Sequence, residues 1–442
     1  MDCPPELVGK CKAGAARNIT AVECDDDFDC NDNNECTGDA CSGNYCVFTN
    51  LTGASCAGGV CQNGACVPLC GNGVVDAGEA CDGNSIACVS LGQGFAGGTA
   101  YCNSSCSGYD NSTCLPRVKG GLYNCADVQN ISYNVSGNYV LMQDIDCSET
   151  ATWDNGAGFA PIMNFNGTLD GNGRSISGLF INRTEANYVG LFGTVNKSEI
   201  KNISLVNVRI YGRSGVAGLA GQSIEGVFKN VFVSGNVSSF VSGSVMSYAG
   251  LLIGAESNST IFRCSAEGRL KAAGKRVGGL VGQTEGANSS INECYANVSV
   301  TSTYNGESEV GGLVGLVGDF FTKSKINNSY ATGNVTGYHR IGGLVGIMLG
   351  GNVSNSYSTG RVFNMSASSV IGGLIGGRSC GIGYCTVSNS YWDVQTSEQS
   401  SSSGGTGLLT SQMTGTSAQS NMNFDWANVW QITSDYPKLK WQ

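Results

Sequence analysis

The stretch "RVGGLVGQ", residues 276–283, returns as "EVGGLVGL" at 309–316, "RIGGLVGI" at 340–347 and "VIGGLIGG" at 370–377. Aligned on Gly-Leu-x-Gly, the copies begin at Gly190, Gly218, Gly250, Gly279, Gly312, Gly343 and Gly373, at intervals of 28, 32, 29, 33, 31 and 30 residues. A fixed period of this size marks a repeat architecture, in which each unit buries its apolar face only against its neighbours. The motif lacks G-x-x-x-x-G-K-[ST] and opens no helix, so it is not a phosphate loop. The copy at 250, "GLLIG", carries one extra residue by this alignment, read as a bulge or shifted turn.

Each repeat has a second block, among them "VFKNVFVSGNV", "INECYANVSV", "INNSYATGNV" and "VSNSYSTGRV". Short alternating runs of Val, Ile and Tyr bounded by Gly, Asn and Ser read as strands of about four to six residues. Stacked at about 4.8 Å per rung, such strands enclose a continuous apolar interior. The expected fold is all-β: a parallel β-solenoid (β-helix) of about 30-residue rungs over 117–442, preceded by a small disulfide-rich, loop-rich domain. Entry coils are placed at 122–189, repeats at 190–391 and a C-terminal cap at 392–442. The glycines suit tight corners or close backbone approach. Leu191, Leu219, Leu251, Leu280, Leu313, Leu344 and Leu374 are expected as one inward column, and Tyr295, Tyr330, Tyr357 and Tyr391 as another column of stacked rings.

Composition agrees with a folded, turn-rich β protein. Charged residues are 13%, against roughly 25% in ordinary domains, while Gly is 66 and Pro only 6 of 442. The net charge of −10 argues against a nucleic-acid partner. No run of 18 apolar residues exists, so no membrane span is expected. "MDCPPELVGK" contains no apolar signal core, and the sequence reads as an exported protein whose signal segment is absent from it.

Of 22 cysteines, sixteen fall between Cys3 and Cys114. They divide into a cysteine-rich domain at 1–69 and a second module at 70–116, with connectivity left open. The other six form three local pairs, Cys125 with Cys147, Cys264 with Cys294, and Cys380 with Cys385. Cys264 and Cys294 hold equivalent places in consecutive rungs, about 5 Å apart and within disulfide range. Zinc thiolate sites would need a reducing compartment, and His339, the one histidine, is far from any cysteine. Eighteen Asn-x-Ser/Thr sequons point to an extracellular glycoprotein: Asn18, Asn50, Asn103, Asn111, Asn130, Asn134, Asn166, Asn182, Asn196, Asn202, Asn236, Asn258, Asn288, Asn297, Asn327, Asn334, Asn352 and Asn364. None follows Asn364.

Residues 122–442 resemble the GLUG-repeat proteins of bacterial and archaeal surfaces. The entry segment "SGNYVLMQDIDCS", the run "FNGTLDGNGRSISGLFI" and the exit beginning "NSYWDVQTSEQSSSSGGTGLLTSQMT" are similar to those of the family. The resemblance implies a β-helix-like stalk or adhesive module without catalytic parts, although GLUG segments also occur beside a metallopeptidase domain. "CGNGVVDAGEACDG" at 70–83 resembles a cysteine-rich repeat common in secreted microbial proteins.

Candidate sites are few. In "CDDDFDCNDNNEC", Asp27, Asp29 and Asn31 follow the D-x-D-x-N order of calcium loops, making Ca2+ the one candidate ion. Asp32 and Gly38 stand where an EF-hand needs Gly and Glu, so it is no EF-hand. Asp170 in "LDGNGRSI" reads as a turn residue, because the rungs from 215 to 380 hold a single aspartate, Asp319. His339 has no HExxH or G-x-S-x-G context and reads as a surface corner residue. No catalytic residue is assigned and no cofactor is required.

The expected function is a non-enzymatic, glycosylated extracellular structural protein, a self-assembling surface filament or sheath subunit. The alternative is a cell-surface adhesin or stalk that binds glycans or another cell; a β-helix polysaccharide-processing enzyme is the remote alternative. The expected partner is the protein itself, head to tail. In that contact the cysteine-rich domain meets the sequon-free stretch 365–442, which holds four of the five Trp. Surface glycans are the other candidate partner.

Overall fold

The computed structural model describes residues 23–57, 59–76, 78–92, 94–240, 247–366, 369–380 and 385–442. The chain divides into two units, Met1–Val118 and Lys119–Gln442. Cys3, Cys11 and the sequon at Asn18 lie outside the described residues.

The first unit is held by disulfides rather than by an apolar core. Cys24–Cys41, Cys30–Cys46, Cys36–Cys61 and Cys56–Cys66 staple hairpins such as Thr37–Ser42 against Tyr45–Asn50. Cys70–Cys106, Cys81–Cys102 and Cys88–Cys114 form a separate set, and among the described residues no bridge joins the two. Closing loops of 10 to 36 residues stabilises such a unit by roughly 3 kcal/mol per bridge on the chain-entropy account. In the second set the Asp82 carboxylate accepts the backbone N–H groups of Gly71, Asn72 (3.0 Å) and Gly73 (2.7 Å). Gly71 and Gly73 reach it at φ of 90° and 92°, where a side chain would be strained.

The second unit is a parallel β-solenoid of about 8 turns. One seven-stranded sheet runs through Phe192–Asn196, Ala220–Ile224, Ile253–Ser257, Val281–Glu285, Val314–Val317, Val345–Met348 and Ile375–Arg378. A 25-stranded sheet wraps the remaining sides. The repeat motif is an arch between them: Arg276–Gly278 leads in, Gly279 and Leu280 turn, and Val281–Glu285 leads out. Its glycines are required by space. A Cβ on Gly278, Gly311 or Gly342 would sit 2.0 Å from the carbonyl oxygen of Val281, Val314 or Val345. A Cβ on Gly279 would meet the Gly312 carbonyl at 2.0 Å, one rung on. The two arms of the arch therefore touch backbone to backbone, and no L side chain fits between them.

The leucines fill the interior, all with no exposed surface, but the register corrects one of them. Gly250 pairs with Gly278 and Ile253 with Val281, so the copy at 250 has no extra residue. Leu251 takes the place of Gly279, and Leu252 stands in the leucine column beside Leu280.

The expected Cys264–Cys294 bridge is not formed; both are buried free thiols. Their rungs are in register, since Phe262 pairs with Asn292 and Ser265 with Tyr295. In-register side chains on parallel rungs point the same way about 4.8 Å apart, whereas a disulfide needs Cβ atoms about 3.8 Å apart and facing each other. The thiols instead join a ladder. The Cys264 N–H donates to Cys294 Sγ at 3.3 Å, and the Cys294 N–H donates to Ser329 Oγ at 3.2 Å. Ser329 and Ser356 continue it, as the Ser329 N–H donates to Ser356 Oγ at 3.1 Å. Cys125–Cys147 and Cys380–Cys385 are bridged.

The tyrosine column stacks, with Tyr295–Tyr330 centroids 5.2 Å apart and Tyr330–Tyr357 4.9 Å. It belongs to a second apolar cluster, separate from the solenoid interior, with Met413, Met422, Phe424, Trp430 and Leu439. The C-terminal segment folds back along the flank and covers the rings. Pro437 O accepts from Tyr357 Oη at 2.6 Å, Gln442 Nε2 donates to Tyr330 Oη at 2.8 Å, and Trp441 Nε1 donates to Glu293 O at 3.0 Å. Of the four tryptophans in the stretch 365–442, Trp392 and Trp430 are buried and Trp426 and Trp441 are half-buried.

Segments of the chain lie against both ends of the solenoid. At the last rung the serine run lies across the edge: Gly373 N–H donates to Ser401 O at 3.0 Å and Ile375 N–H to Ser402 Oγ at 2.9 Å. Thr406–Leu408 then pairs with Tyr391–Asp393. At the first rung a short helix, Cys125–Asn130, is capped by Asn124, whose side chain accepts the Asp127 N–H. Cys125, Val128 and the following Ile131 close the interior there, with Cys125 bridged to Cys147.

Candidate functional site

The seven-stranded sheet changes character along its length. One outer column reads Gln222, Ala255, Gln283 over three successive rungs and then Leu316 and Ile347. Where it is polar, a groove of about 400 Å3 opens beside it, lined by Tyr188, Arg213, Gln222, Tyr248, Glu256, Gln283 and Glu285 among others. A relay crosses it: Arg276 Nη1 donates to Gln283 Oε1, and Gln283 Nε2 donates to Glu285 Oε2 at 2.5 Å. The Arg276 guanidinium lies 5.5 Å from the Tyr248 ring centroid, a cation–π arrangement that steadies the ring.

Two glutamates near this groove are buried. Glu256 accepts from Ser259 N at 3.0 Å, from Ser289 Oγ at 3.1 Å and from Thr284 Oγ1. Burial nevertheless pushes its carboxyl up to about 7, because desolvation of the charged form outweighs those bonds. Glu309 pairs with Arg340 at 3.4 Å, Lys275 at 3.8 Å and Arg276 at 3.8 Å. Burial raises its carboxyl also, against the pull of the three cations.

The sequence-derived candidates lie elsewhere. Asp27 accepts the Cys41 N–H at 2.7 Å, Asp29 the Asp25 N–H at 3.1 Å and Asn31 the Asn33 N–H at 2.8 Å, so each serves a different backbone amide. Asp170 accepts the Asn172 N–H at 2.8 Å within its turn. His339 is half-buried, and its Nδ1 has no hydrogen-bond partner. None of the seventeen described sequon asparagines is buried. Asn202 and Asn327 donate through Nδ2 to Asp170 Oδ1 (3.2 Å) and Asn292 Oδ1 (3.0 Å), whereas Asn166, Asn182, Asn236 and Asn297 are exposed.

Sequence reasoning that follows aspartate along the rungs passes over this groove, whose acids are glutamates. Glu256 stands third in "GAES" and Glu285 last in "GQTE", in the strands that follow the turn of the arch, and the register sets Glu256 beside Thr284 and Ser257 beside Glu285.

Comparison with known proteins gives two family matches. The GLUG motif matches residues 273–301, 306–336 and 337–362. The M26 IgA1-specific metallo-endopeptidase N-terminal region matches residues 115–235. Halomucin of Haloquadratum walsbyi is 36% identical over 329 residues, covering 72% of this chain and 3% of that protein. A protein of Evansella cellulosilytica described as a Gly-rich membrane protein is 32% identical over 364 residues, covering 68% and 42%. The immunoglobulin A1 protease of Streptococcus sanguinis is 29% identical over 248 residues, covering 54% and 13%. The chain thus spans less than half the length of each of these relatives, and the peptidase match concerns a terminal region outside the repeats from 273 onward.

Proposed function

The chain is a GLUG-repeat β-solenoid with a disulfide-rich N-terminal unit, and from that premise we propose that it is a non-enzymatic extracellular surface module, a self-contained stalk. The observation that carries this reading is that the chain's own segments lie against both end rungs, Cys125–Ile131 at one end and the serine run over Gly373–Ile375 at the other. A solenoid that extends by stacking needs an open edge. These covering segments count against the head-to-tail filament and favour the stalk or adhesin role.

Placement outside the cell is supported by nine disulfides among the described residues, which persist only under oxidising conditions. It is also supported by the likeness to halomucin and by sequon asparagines that face outward. The peptidase likeness covers residues 115–235, and the chain's one histidine, His339, lies outside it. Calcium binding at Asp27, Asp29 and Asn31 would compete with three local amides.

Protease shaving of intact cells, followed by mass spectrometry, tests the placement, with peptides of the rungs expected among those released. Electron microscopy of the purified full chain tests the form. Single rods at high concentration are expected; regular filaments would overturn the stalk reading.

A further inference from the structure

We propose that the groove between Tyr188 and Gln283 is a saccharide-binding site, taking a short stretch of oligosaccharide laid across three rungs. The inference rests on the surface reading only for the source of its ligand; the site stands on its own geometry.

Tyr188 is the first argument. Its backbone lies at φ 57°, a region that bulky side chains rarely enter and that persists where the surroundings enforce it. Among the described residues it is the one aromatic with positive φ. Gly215 and Gly221 make room for it: a Cβ at Gly215 would meet the Tyr188 ring at 2.7 Å, and one at Gly221 would meet its Cα at 2.5 Å. Two absent side chains therefore permit one strained ring at the mouth of a groove.

The lining chemistry is the second. Tyr188 and Tyr248 offer ring faces with a polar tip, suited to a ligand that is apolar on one side and hydroxylated on its rim. Gln222, Gln283, Arg213 and Glu285 supply directed donors and acceptors of both signs. Among the described residues Ala255 is the only aliphatic side chain in the lining, which offers no apolar pocket to a peptide anchored by Leu or Phe. A carboxylate in the groove and a chain charge of −10 disfavour nucleic acid. The groove ends where Leu316 replaces Gln283, which sets its length in rungs.

The test uses the full chain on an array of neutral and sialylated glycans, followed by calorimetry with the tightest binder. Wild type is expected to bind. Tyr248→Ala and Arg213→Ala are expected to weaken binding about tenfold or more, while Tyr248→Phe keeps most of it. Arg213 is exposed, so its removal leaves folding intact and covers the case in which Tyr248→Ala destabilises the rung. Absence of binding to every arrayed glycan, or affinity unchanged in Arg213→Ala and Tyr248→Ala, would overturn the site. Either result leaves the surface reading untouched, since that reading is judged by shaving and microscopy.

Discussion

Arg263 and Glu293 occupy the same corner of successive rungs, at φ 52° and 53°, and their side chains pair with Nε and Oε2 2.9 Å apart. Elsewhere that corner is Asn: Asn202, Asn230, Asn328, Asn355 and Asn389, with φ between 43° and 53°. Asn tolerates the left-handed region better than other side chains with a Cβ. Its amide also bonds along the stack, as Asn230 Nδ2 does to Asn202 Oδ1 at 2.9 Å. The ion pair thus stands in for two missing members of the asparagine column. Replacing both residues, Arg263→Asn with Glu293→Asn, is expected to leave the protein at least as stable as wild type. The single changes should show a coupling of about 1 kcal/mol. A double-mutant cycle by urea unfolding reads both quantities, and additive effects would count against the pairing.

The arch glycines make a sharper prediction. Gly311→Ala brings a Cβ within 2.0 Å of Val314 O and 2.8 Å of Gly346 N, both backbone atoms. A loss of about 3 kcal/mol or more is expected, as for severe overpacking. Gly377→Ala meets the flexible Arg340 side chain at 3.3 Å and Ile347 at an ordinary contact distance of 3.6 Å and should stay within about 0.5 kcal/mol of wild type. Equal effects in equilibrium unfolding would show that the arms of the arch are not in contact.

Cys294 accepts the Cys264 N–H and donates to Asn292 O at 3.2 Å, the task that Ser329 performs one rung later by donating to Asn327 O at 2.8 Å. Cys294→Ser is therefore expected to be nearly neutral. Cys294→Ala leaves a buried N–H without a partner and should lose about 1–3 kcal/mol. Alkylation followed by peptide mapping gives a second check: both thiols should resist labelling in the native state and become reactive on unfolding. A Cys264–Cys294 peptide linked under native, non-reducing conditions would refute the ladder.

Glu256 predicts how stability varies with pH. Burial raises its carboxyl from the ordinary 4.5 to about 7, so the folded state holds the proton more tightly than the unfolded chain. That contribution is complete below about pH 4.5 and is lost as the pH rises through 7. A shift of this size corresponds to about 3 kcal/mol. Glu256→Gln should flatten the profile between about pH 5 and 8 and be the more stable form at the alkaline end. Thermal unfolding across that range decides it, and parallel profiles for the two proteins would contradict the assignment.

Much of the solenoid is legible in the sequence because its determinants are local and recur. Glycines at one spacing mark the arch, and Val, Ile and Leu between them mark the walls. What escapes is orientation and distance. Period-two alternation tells which tyrosines share a face, yet not that Tyr330 and Tyr357 lie in a cluster of their own with the chain's last residues. Their partners Gln442 and Pro437 stand 112 and 80 residues away, beyond the reach of any local pattern. The leucine register at 250 is hidden for a related reason. A Gly-Leu alignment anchors on the leucine, while strand pairing anchors on Gly250 and Ile253 and lets Leu251 replace a glycine. The groove depends on positions that differ from rung to rung, and a consensus repeat hides those.

The strap from Leu409 to Gln442 gives the stack a property that repetition alone lacks. In a linear array each rung holds only its neighbours, and melting proceeds inward from the free end. Here Trp441 and Gln442 are fastened to Glu293 and Tyr330, upstream of the rungs that contain Tyr357 and Tyr391. Those last rungs are bracketed from both directions along the axis, so the terminus cannot unravel one coil at a time. The strap makes fraying an all-or-none event for the C-terminal part of the solenoid.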